Sequence, residues 1–300
     1  MVKVQVPAST ANIGPGFDIL GLALTLYNTV EVELLSEPTL DIEYAGEGKE
    51  YIPTDSSNMI YKSIQRVFSS LNKPLNGLRI KIDNEIPLMG GLGSSSSAIV
   101  SGIVAANALL DNPLTKRDML KLAVEEDGHP DNVTPALLGG FTLSYRDEEE
   151  NPSIIPLIFP SGLDIVTVSP DFHVSTQSAR EVMPENYPLK VVTKNATRLI
   201  RLIRSLEKGQ WDELQSLLED ELHQPYRFPL VPGLKKACEK AYQSGAVGAF
   251  ISGSGPTLAI FCHENREKVG QSVVEVFEQE KLEAKVRYLK VDFEGARIID

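Results

Sequence analysis

Apolar and polar residues alternate in several short segments of the first half of the chain, which is the pattern of half-buried β-strands. These segments are residues 1–6, 30–34, 41–44 and 78–82. Between the last two, residues 58–71 repeat apolar side chains at helical spacing along one face. We predict a helix there, with Ser56 or Ser57 as its N-cap.

A glycine- and serine-rich stretch, residues 87–97, precedes a run of small and apolar residues, 98–110. The run predicts a buried helix that ends near Asn112 and Pro113. Glycines let a loop approach a ligand closely, and a helix N-terminus offers free N–H groups and a positive dipole end to an anion. A flexible linker is the alternative, which the apolar flanks disfavour. The stretch lacks the lysine of a P-loop, so we predict a phosphate-binding loop of another type.

A second group of polar residues follows another predicted helix. Thr115 and Asp118 have the spacing of a capping box, and Gly128 should end the helix that they begin. His, Pro, Asp and Asn then stand together at 129–132, before a predicted strand at 141–145. Polar groups are therefore concentrated where this helix ends.

An acidic segment at residues 147–152 predicts a solvated hairpin or linker. We expect a domain boundary between this segment and about residue 162, which divides the chain into residues 1–158 and 159–300.

The second half combines strands and helices in an order that resembles the split β-α-β-β-α-β arrangement, with extra helices inserted. The predicted strands are 163–168, 247–251, 258–261 and 285–291, and the predicted helices are 197–207, 211–222, 233–244 and 266–278. Another glycine-rich segment, residues 252–257, joins the inner strands as a tight hairpin connection. The fold class predicted for the chain is α+β.

Composition narrows the classes of function. The chain has 300 residues, of which 42% are hydrophobic and 23% charged, as in soluble globular proteins. A formal net charge of −12 argues against nucleic acid as a partner, because that binding needs a basic surface. The N-terminus lacks the pattern of a secretory signal and no apolar run approaches membrane-spanning length, so we expect a cytoplasmic protein without a membrane partner.

Cysteines and histidines do not form a metal-binding pattern. Cys238 and Cys262 are far apart, and the four histidines are scattered along the chain. We predict that both cysteines are buried small apolar residues and that the protein has no structural metal.

Three glycine-rich segments, residues 7–18, 87–95 and 247–257, resemble the three motifs of the small-molecule kinases named for galactokinase, homoserine kinase, mevalonate kinase and phosphomevalonate kinase (GHMP kinases). The resemblance spans nearly the whole chain in the expected order. It implies a two-domain α+β fold, with an N-terminal domain like ribosomal protein S5 domain 2 and a ferredoxin-like C-terminal domain. It also implies ATP as the phosphoryl donor and Mg²⁺ as the cofactor.

Within that superfamily, residues 12–18 and 128–140 resemble the homoserine kinases. The resemblance implies phosphorylation of the side-chain hydroxyl of L-homoserine in threonine biosynthesis, by a homodimer. A kinase for an isoprenoid or sugar alcohol, or a catalytically silent nucleotide-binding regulator, remains as an alternative.

The resemblance also assigns the nucleotide site. The residues implied in ATP binding are Asn58, Pro87, Leu88, Met89, Gly90, Gly91, Leu92, Gly93, Ser94, Ser95, Ser96 and Ser97. Glu125 and Ser95 are the implied Mg²⁺ ligands, with Glu126 as an alternative to Glu125. Two residues depart from the family pattern: Ser96 replaces a usual alanine, and Asp127 stands where glutamate is expected.

An amino-acid substrate needs a cation for its carboxylate, an acceptor for its ammonium group and a group that orients its hydroxyl. The resemblance implies that Thr176, Arg180 and Arg227 bind the carboxylate. Asn12 and Asp18 are candidates for the ammonium group.

The group near the hydroxyl consists of His129, Asp131 and Asn132, which we name as catalytic candidates. Helix capping is the alternative role of Asp131 and Asn132. Asn132 would orient the hydroxyl, and whether any residue acts as a general base stays open.

Overall fold

The alternating segments of the first half form a seven-stranded sheet in the computed structural model, which describes residues 1–299. Its strands are β1 (Val2–Ala11), β2 (Leu20–Leu35), β3 (Leu40–Gly46), β4 (Gly77–Asn84), β5 (Phe141–Arg146), β6 (Pro152–Leu157) and β11 (Arg297–Ile299). The order is β11-β1-β2-β4-β3, and β5 joins β2 to β6. Only the β3–β4 pair is parallel among the strand pairs of residues 1–299.

Four helices pack against this sheet: α1 (Met59–Ser70), α2 (Ser94–Leu109), α3 (Lys116–Asp127) and α4 (Pro130–Leu138). Alternate residues of the strands, such as Val30, Val32 and Ile80, share one apolar core with the helices. Helix α2 is buried along most of its length, which explains its uniformly small and apolar sequence.

Helix α1 begins as predicted, but its cap is a different residue. The Asn58 side chain accepts hydrogen bonds from the backbone N–H groups of Ile60 (2.9 Å) and Tyr61 (3.3 Å). The predictions of Ser56 and Ser57 as N-cap are wrong, because Asn58 is the residue next to the first helical turn. The capping box of Thr115 and Asp118 is confirmed in α3.

Helix α4 was not predicted from the sequence. Pro130 stands at the start of this helix, where a proline loses no hydrogen bond. Residues 129–132 therefore lie at the start of a helix as well as at the end of another.

The second half forms a four-stranded antiparallel sheet with the order β10-β7-β9-β8. Its strands are β7 (Asp164–Pro170), β8 (Gly248–Ile251), β9 (Leu258–Cys262) and β10 (Ala284–Leu289), and its covering helices are α9 (Leu234–Gln243) and α10 (Arg266–Gln279). This strand order is that of the split β-α-β-β-α-β motif, and the α+β class and ferredoxin-like arrangement are confirmed.

The extra helices stand between β7 and β8. They are α5 (Thr176–Glu181), α6 (Leu189–Glu207), α7 (Leu214–Leu218) and α8 (Gln224–Arg227), and a 3₁₀ turn follows at Phe228–Leu230. Helix α6 begins before the predicted residue 197, because its first turns are mostly exposed and no core-facing stripe marks them. Helix α7 is shorter than predicted, since the Asp220 carboxylate accepts N–H groups of the next segment instead.

Strand β6 is the last of the first sheet before β7 opens the second, and the acidic hairpin joins β5 to β6 as predicted. The division between residues 158 and 159 stays a proposal, since β11 returns to pair with β1. Within residues 1–299, no helix combines the length and apolar character needed to cross a membrane.

The hairpin turn between β8 and β9 packs directly on the glycine loop of the first half. The Ser252 hydroxyl lies 2.6 Å from the Gly91 carbonyl oxygen and 2.8 Å from Thr10 Oγ1. Gly91 has φ +76°, and a Cβ there would lie 2.2 Å from the Ser252 carbonyl oxygen. We call this contact of Thr10, Gly91 and Ser252 the glycine seam. It brings the three glycine-rich segments of the sequence to one place.

Candidate active site

A cleft of about 710 Å³ runs along the glycine seam, between the first sheet's helices and the segments that precede β8. Its lining includes the glycine loop, the starts of α1, α2 and α4, and a charged cluster at one end. The predicted site residues that line it are Asn12, Asp18, Asn58, Leu88, Met89, Gly90, Gly91, Gly93, Ser94, Ser95, Ser96, His129, Asp131, Asn132, Thr176, Arg180 and Arg227. Pro87, Leu92, Ser97 and Glu125 do not line it.

Helix α2 points its N-terminus into the cleft. Gly93, in the left-handed conformation with φ +69°, precedes the first turn without a side-chain cap. A Cβ at Gly93 would lie 2.1 Å from Ser9 Oγ, so the close packing requires glycine. The free N–H groups of the first turn and the helix dipole make this end of the cleft suited to an anion.

The four serines of the loop have different surroundings. Ser95 is exposed and lines the cleft, whereas Ser96 is buried and donates a hydrogen bond to Asp127 Oδ1 (3.0 Å). Ser97 is buried, lies outside the cleft lining and donates to the Ser94 carbonyl oxygen (2.9 Å). Ser95 therefore lies exposed in the cleft, whereas Ser97 supports the loop from outside it, and the role of Ser95 as an Mg²⁺ ligand stays a prediction.

The acid of α3 that lines the cleft is Asp127, whereas Glu125, predicted as an Mg²⁺ ligand, does not line it. Glu125 is exposed and pairs with Arg66 at 2.7 Å, while Glu126 accepts a hydrogen bond from Ser63 (2.6 Å). Asp127 lies two helical positions beyond Glu125, which turns its side chain by about 200° towards the cleft. Burial raises the pKa of Asp127 to about 6 against the opposing hydrogen bond from Ser96. The aspartate at a position where glutamate was expected was the signal in the sequence.

Asn58 lines the cleft with an amide that is already bonded. Its oxygen caps α1, and its Nδ2 donates to the Pro53 carbonyl oxygen (2.8 Å). The wall around Asn58 is mainly apolar and aromatic, and sequence reasoning did not identify it, because no local pattern marks it. It consists of Asn28, Tyr44, Tyr51, Ile52, Pro53, Met59, Ile60, Ile82 and Ala98.

At the other end of the cleft, Asp18 and Arg180 form a bidentate ion pair. Arg180 Nη2 donates to Asp18 Oδ1 (2.7 Å) and Nη1 to Oδ2 (3.1 Å). Asp18 has φ +60°, and its backbone N–H donates to Asn12 Oδ1 (2.9 Å). Asn12 Nδ2 donates to the Gly253 carbonyl oxygen (2.9 Å), so the Asn12 amide is used in holding Asp18 in place.

Arg227 is buried beside this pair and is anchored to the backbone. Its Nε donates to the Ala179 carbonyl oxygen (3.0 Å) and its Nη1 to that of Gly253 (2.9 Å). Burial, with the nearby Arg180 charge, lowers the pKa of Arg227 to about 10. The guanidinium groups of both arginines lie over the Phe17 ring. The distance from Cζ to the ring centroid is 5.5 Å for Arg180 and 5.1 Å for Arg227.

His223 supports Arg227 and was missed in the sequence. It is fully buried, stacks on Phe17, and its Nδ1 lies 3.4 Å from Arg227 Nη1. Its Nε2 lies 2.9 Å from the Gly14 carbonyl oxygen. The spacing of four residues from Arg227 on a helical segment was the only signal that could have found it.

The first turn of α4 contributes the remaining polar groups. His129 is the N-cap residue, and burial and Arg180 lower its pKa. Asp131 is 4% exposed, and burial, then the charges of Asp18 and Asp127, raise its pKa to about 7. Asn132 Oδ1 accepts a hydrogen bond from Ser9 (2.9 Å). The N-cap of α4 is His129, so the alternative of Asp131 or Asn132 as its cap is wrong.

Thr176 also faces the cleft, as the first residue of α5. The N-cap of this helix is Ser175, whose side chain accepts a hydrogen bond from the backbone N–H of Ser178 (2.9 Å). Thr176 and Arg180 stand four residues apart in this short helix, so both lie on the helix face that lines the cleft.

Comparison with known families identifies both halves of this arrangement. Residues 58–140 match the GHMP kinases N terminal domain, and residues 202–279 match the GHMP kinases C terminal domain. A homoserine kinase of Carboxydothermus hydrogenoformans is 41% identical over 297 residues, covering 99% of this chain and 96% of the relative. A homoserine kinase of Caldanaerobacter subterraneus is 42% identical over 300 residues, covering 100% of this chain and 96% of the relative.

Solved structures agree with this assignment. The crystal structure of homoserine kinase from Cytophaga hutchinsonii superposes with a TM-score of 0.89 at 28% identity, covering 99% of this chain and 97% of that one. Mevalonate kinase of L. major, solved with R-mevalonate, shares the fold alone, with a TM-score of 0.73 at 17% identity over 97% of this chain and 96% of that one. The phosphate-type loop, the charged cluster and these matches together show that the chain belongs to the GHMP kinases and, within them, to the homoserine kinase family.

Proposed function

We propose that this protein transfers the γ-phosphoryl group of ATP to the side-chain hydroxyl of L-homoserine, a step of threonine biosynthesis, and forms O-phospho-L-homoserine. The observation that carries the proposal is that one cleft contains both an anion-binding helix N-terminus and a cluster of opposite charges. The first suits the ATP phosphates, and the second suits the two charged groups of an amino acid.

The donor set beside the loop fits Mg²⁺. Ser95 and Asp127 offer hard oxygen ligands, and no group of three or more His, Cys, Asp or Glu within residues 1–299 forms a larger metal site. Mg²⁺ commonly takes one or two carboxylates and completes its shell with phosphate oxygens and water, and it neutralises phosphate charge when bound. In the proposed arrangement Ser96 holds the Asp127 carboxylate towards the loop.

In the substrate half of the site, Arg180, Arg227 and Thr176 take the carboxylate of homoserine and Asp18 takes its ammonium group. Arg227 is fixed by two backbone carbonyls, which supports a role as a preformed carboxylate binder. Asn12 acts through Asp18, because both ends of its amide are bonded.

The substrate hydroxyl is proposed to lie between the loop and the first turn of α4. Asn132 orients it, since Ser9 fixes the amide and leaves Nδ2 able to donate. Asp131 accepts its proton, because a carboxyl group with a pKa near neutrality suits a general base. His129 lines the same part of the cleft. Positioning and charge neutralisation then supply most of the rate, as is general for phosphoryl transfer.

The proposal is tested by measuring ADP release with a panel of hydroxyl acceptors: L-homoserine, L-serine, mevalonate and galactose. We expect L-homoserine to react with the highest kcat/KM, because it carries both charges at the required distance from the hydroxyl. Turnover of mevalonate or galactose without L-homoserine would contradict the substrate, and no turnover with any acceptor would indicate a silent nucleotide-binding protein.

The two acids of α3 provide a matched test of the metal site. Asp127→Asn should lower kcat about a hundredfold, the usual cost of losing one group that stabilises transition-state charge, and should raise the Mg²⁺ concentration needed for half-maximal rate. Glu125→Gln should stay within about twofold of wild type, because an exposed ion pair contributes little. Equal losses in the two variants, or an active Asp127→Asn, would contradict the assignment.

The raised pKa of Asp131 predicts the pH dependence of the reaction. Burial favours the protonated acid in the folded protein, so the ionised form that can accept a proton is populated only above about pH 7. We expect kcat/KM to fall as the pH drops through about 7. Asp131→Asn should remove this acidic limb and lower the plateau about a hundredfold. An unchanged limb in Asp131→Asn would assign the titration to another group.

A further inference from the structure

We propose that the Asp18–Arg180 ion pair is an internal substitute for the substrate, and that a ligand enters by splitting it. The inference rests on the proposed function, since it concerns how that site recognises its acceptor. Its consequence is a selection rule: a ligand must bring an anion for Arg180 and a cation for Asp18 together.

The pair occupies the charged groups that the substrate would need. Both guanidinium Nη atoms of Arg180 are used by the two carboxylate oxygens of Asp18, at 2.7 and 3.1 Å. Arg180 Nε is buried and has no hydrogen-bond partner within residues 1–299. The other two-point edge of the guanidinium, Nε with one Nη, is closed to a ligand because Nε is buried. A substrate carboxylate can therefore obtain a two-point contact with Arg180 only at the edge that Asp18 occupies, and only if Asp18 is displaced.

The two arginines of the site differ in how they are held. Arg227 is 3% exposed and bonded to the Ala179 and Gly253 carbonyl oxygens, so it keeps its place without a ligand. The Arg180 and Asp18 side chains are about one third exposed, at 35% and 32%. Solvent and ligands reach this pair, which makes Arg180 the arginine that changes partner.

Splitting the pair leaves two half-buried charges that both need a new partner. An amino-acid zwitterion supplies both, so the exchange conserves the number of charge-assisted contacts. A hydroxy acid satisfies Arg180 and leaves Asp18 without a counter-ion, and an amino alcohol does the reverse. We call a ligand that carries only one of the two charges a half-ligand. Because an unpartnered charge in a partly desolvated site is costly, each half-ligand should bind far more weakly than the sum of its contacts suggests.

Other groups facing the pair do not relieve this requirement. Arg227 is held in place by two backbone carbonyl oxygens and forms no salt bridge with Asp18 within residues 1–299. Burial, and then the charge of Asp18, raise the pKa of Asp131. His129 carries a lowered pKa because of burial and Arg180. Neither His129 nor Asp131 forms a salt bridge with Asp18 or Arg180 within residues 1–299.

The test measures dissociation constants by NMR titration without ATP, at about pH 8.5, where carboxylates are ionised and amines remain protonated. The ligands are L-homoserine, γ-hydroxybutyrate, which lacks the ammonium group, and propanolamine, which lacks the carboxylate. The variants are Asp18→Asn, which frees Arg180, and Arg180→Gln, which frees Asp18. Glu181→Gln is the matched control, because it removes an exposed carboxylate that adjoins Arg180 in the sequence and is bonded to Gln177, without touching the pair.

We expect a crossed result, in which each of the two variants gains affinity for a different half-ligand. Wild type binds L-homoserine and binds each half-ligand at least about a hundredfold more weakly, the cost of one unpartnered charge. Asp18→Asn should bind γ-hydroxybutyrate about tenfold more tightly than wild type does, because no ion pair has to be broken, and Arg180→Gln should do the same for propanolamine. Glu181→Gln should change both by less than about twofold, because an exposed charge contributes little.

The exchange is overturned if neither variant gains affinity for its half-ligand, or if Glu181→Gln gains as much for γ-hydroxybutyrate as Asp18→Asn does. If one variant does not fold, the other decides alone. If the kinase proposal fails, L-homoserine is not phosphorylated. The crossed pattern of affinities is measured without phosphoryl transfer, so the two failures can be told apart.

Discussion

The rest of the site depends on one close contact, in which a backbone carbonyl oxygen occupies the space that a side chain would fill. The Ser252 oxygen approaches Gly91 so closely that a Cβ there would lie 2.2 Å away, and the Ser252 hydroxyl binds the Gly91 carbonyl at 2.6 Å. The contact joins the turn of the second sheet to the loop that leads into α2. Because Asn12 and Arg227 both bond to the Gly253 carbonyl, the charged cluster takes its position from the same turn.

This shared anchor explains why three separated segments are rich in glycine. The middle segment brings the N-terminus of α2 into the cleft, where the ATP phosphates are proposed to bind, and the first segment orients Asp18 through Asn12. The third segment supplies the Gly253 carbonyl oxygen to Asn12 and the Ser252 hydroxyl to the Gly91 carbonyl oxygen. Two ligands must meet within reacting distance for phosphoryl transfer, and a common backbone anchor controls that distance better than independent loops could.

Much of the architecture followed from the sequence, because strand alternation, helical spacing and glycine segments are local signals. Asp127 shows the limit for the site: the motif placed an acid near the loop, but the choice among three successive acids depends on how α3 is rotated against α2. Asp18 and Arg180 show a second limit. Their separation of 162 residues means that no local pattern could predict that they bind each other. Asn58 is the N-cap of α1, and its contact with the nucleotide stays a prediction.

The most direct test of the shared anchor compares two glycines that both have positive φ. Gly91→Ala forces a methyl group against the Ser252 oxygen, whereas a methyl group added at Gly245, with φ +110°, would have no neighbouring atom of residues 1–299 within 4 Å. The dissociation constants of ATP and L-homoserine should both rise about tenfold in Gly91→Ala, the effect of overpacking at a contact that positions both sites, and neither should rise in Gly245→Ala. A folded Gly91→Ala variant that binds both ligands as tightly as Gly245→Ala does would contradict the account.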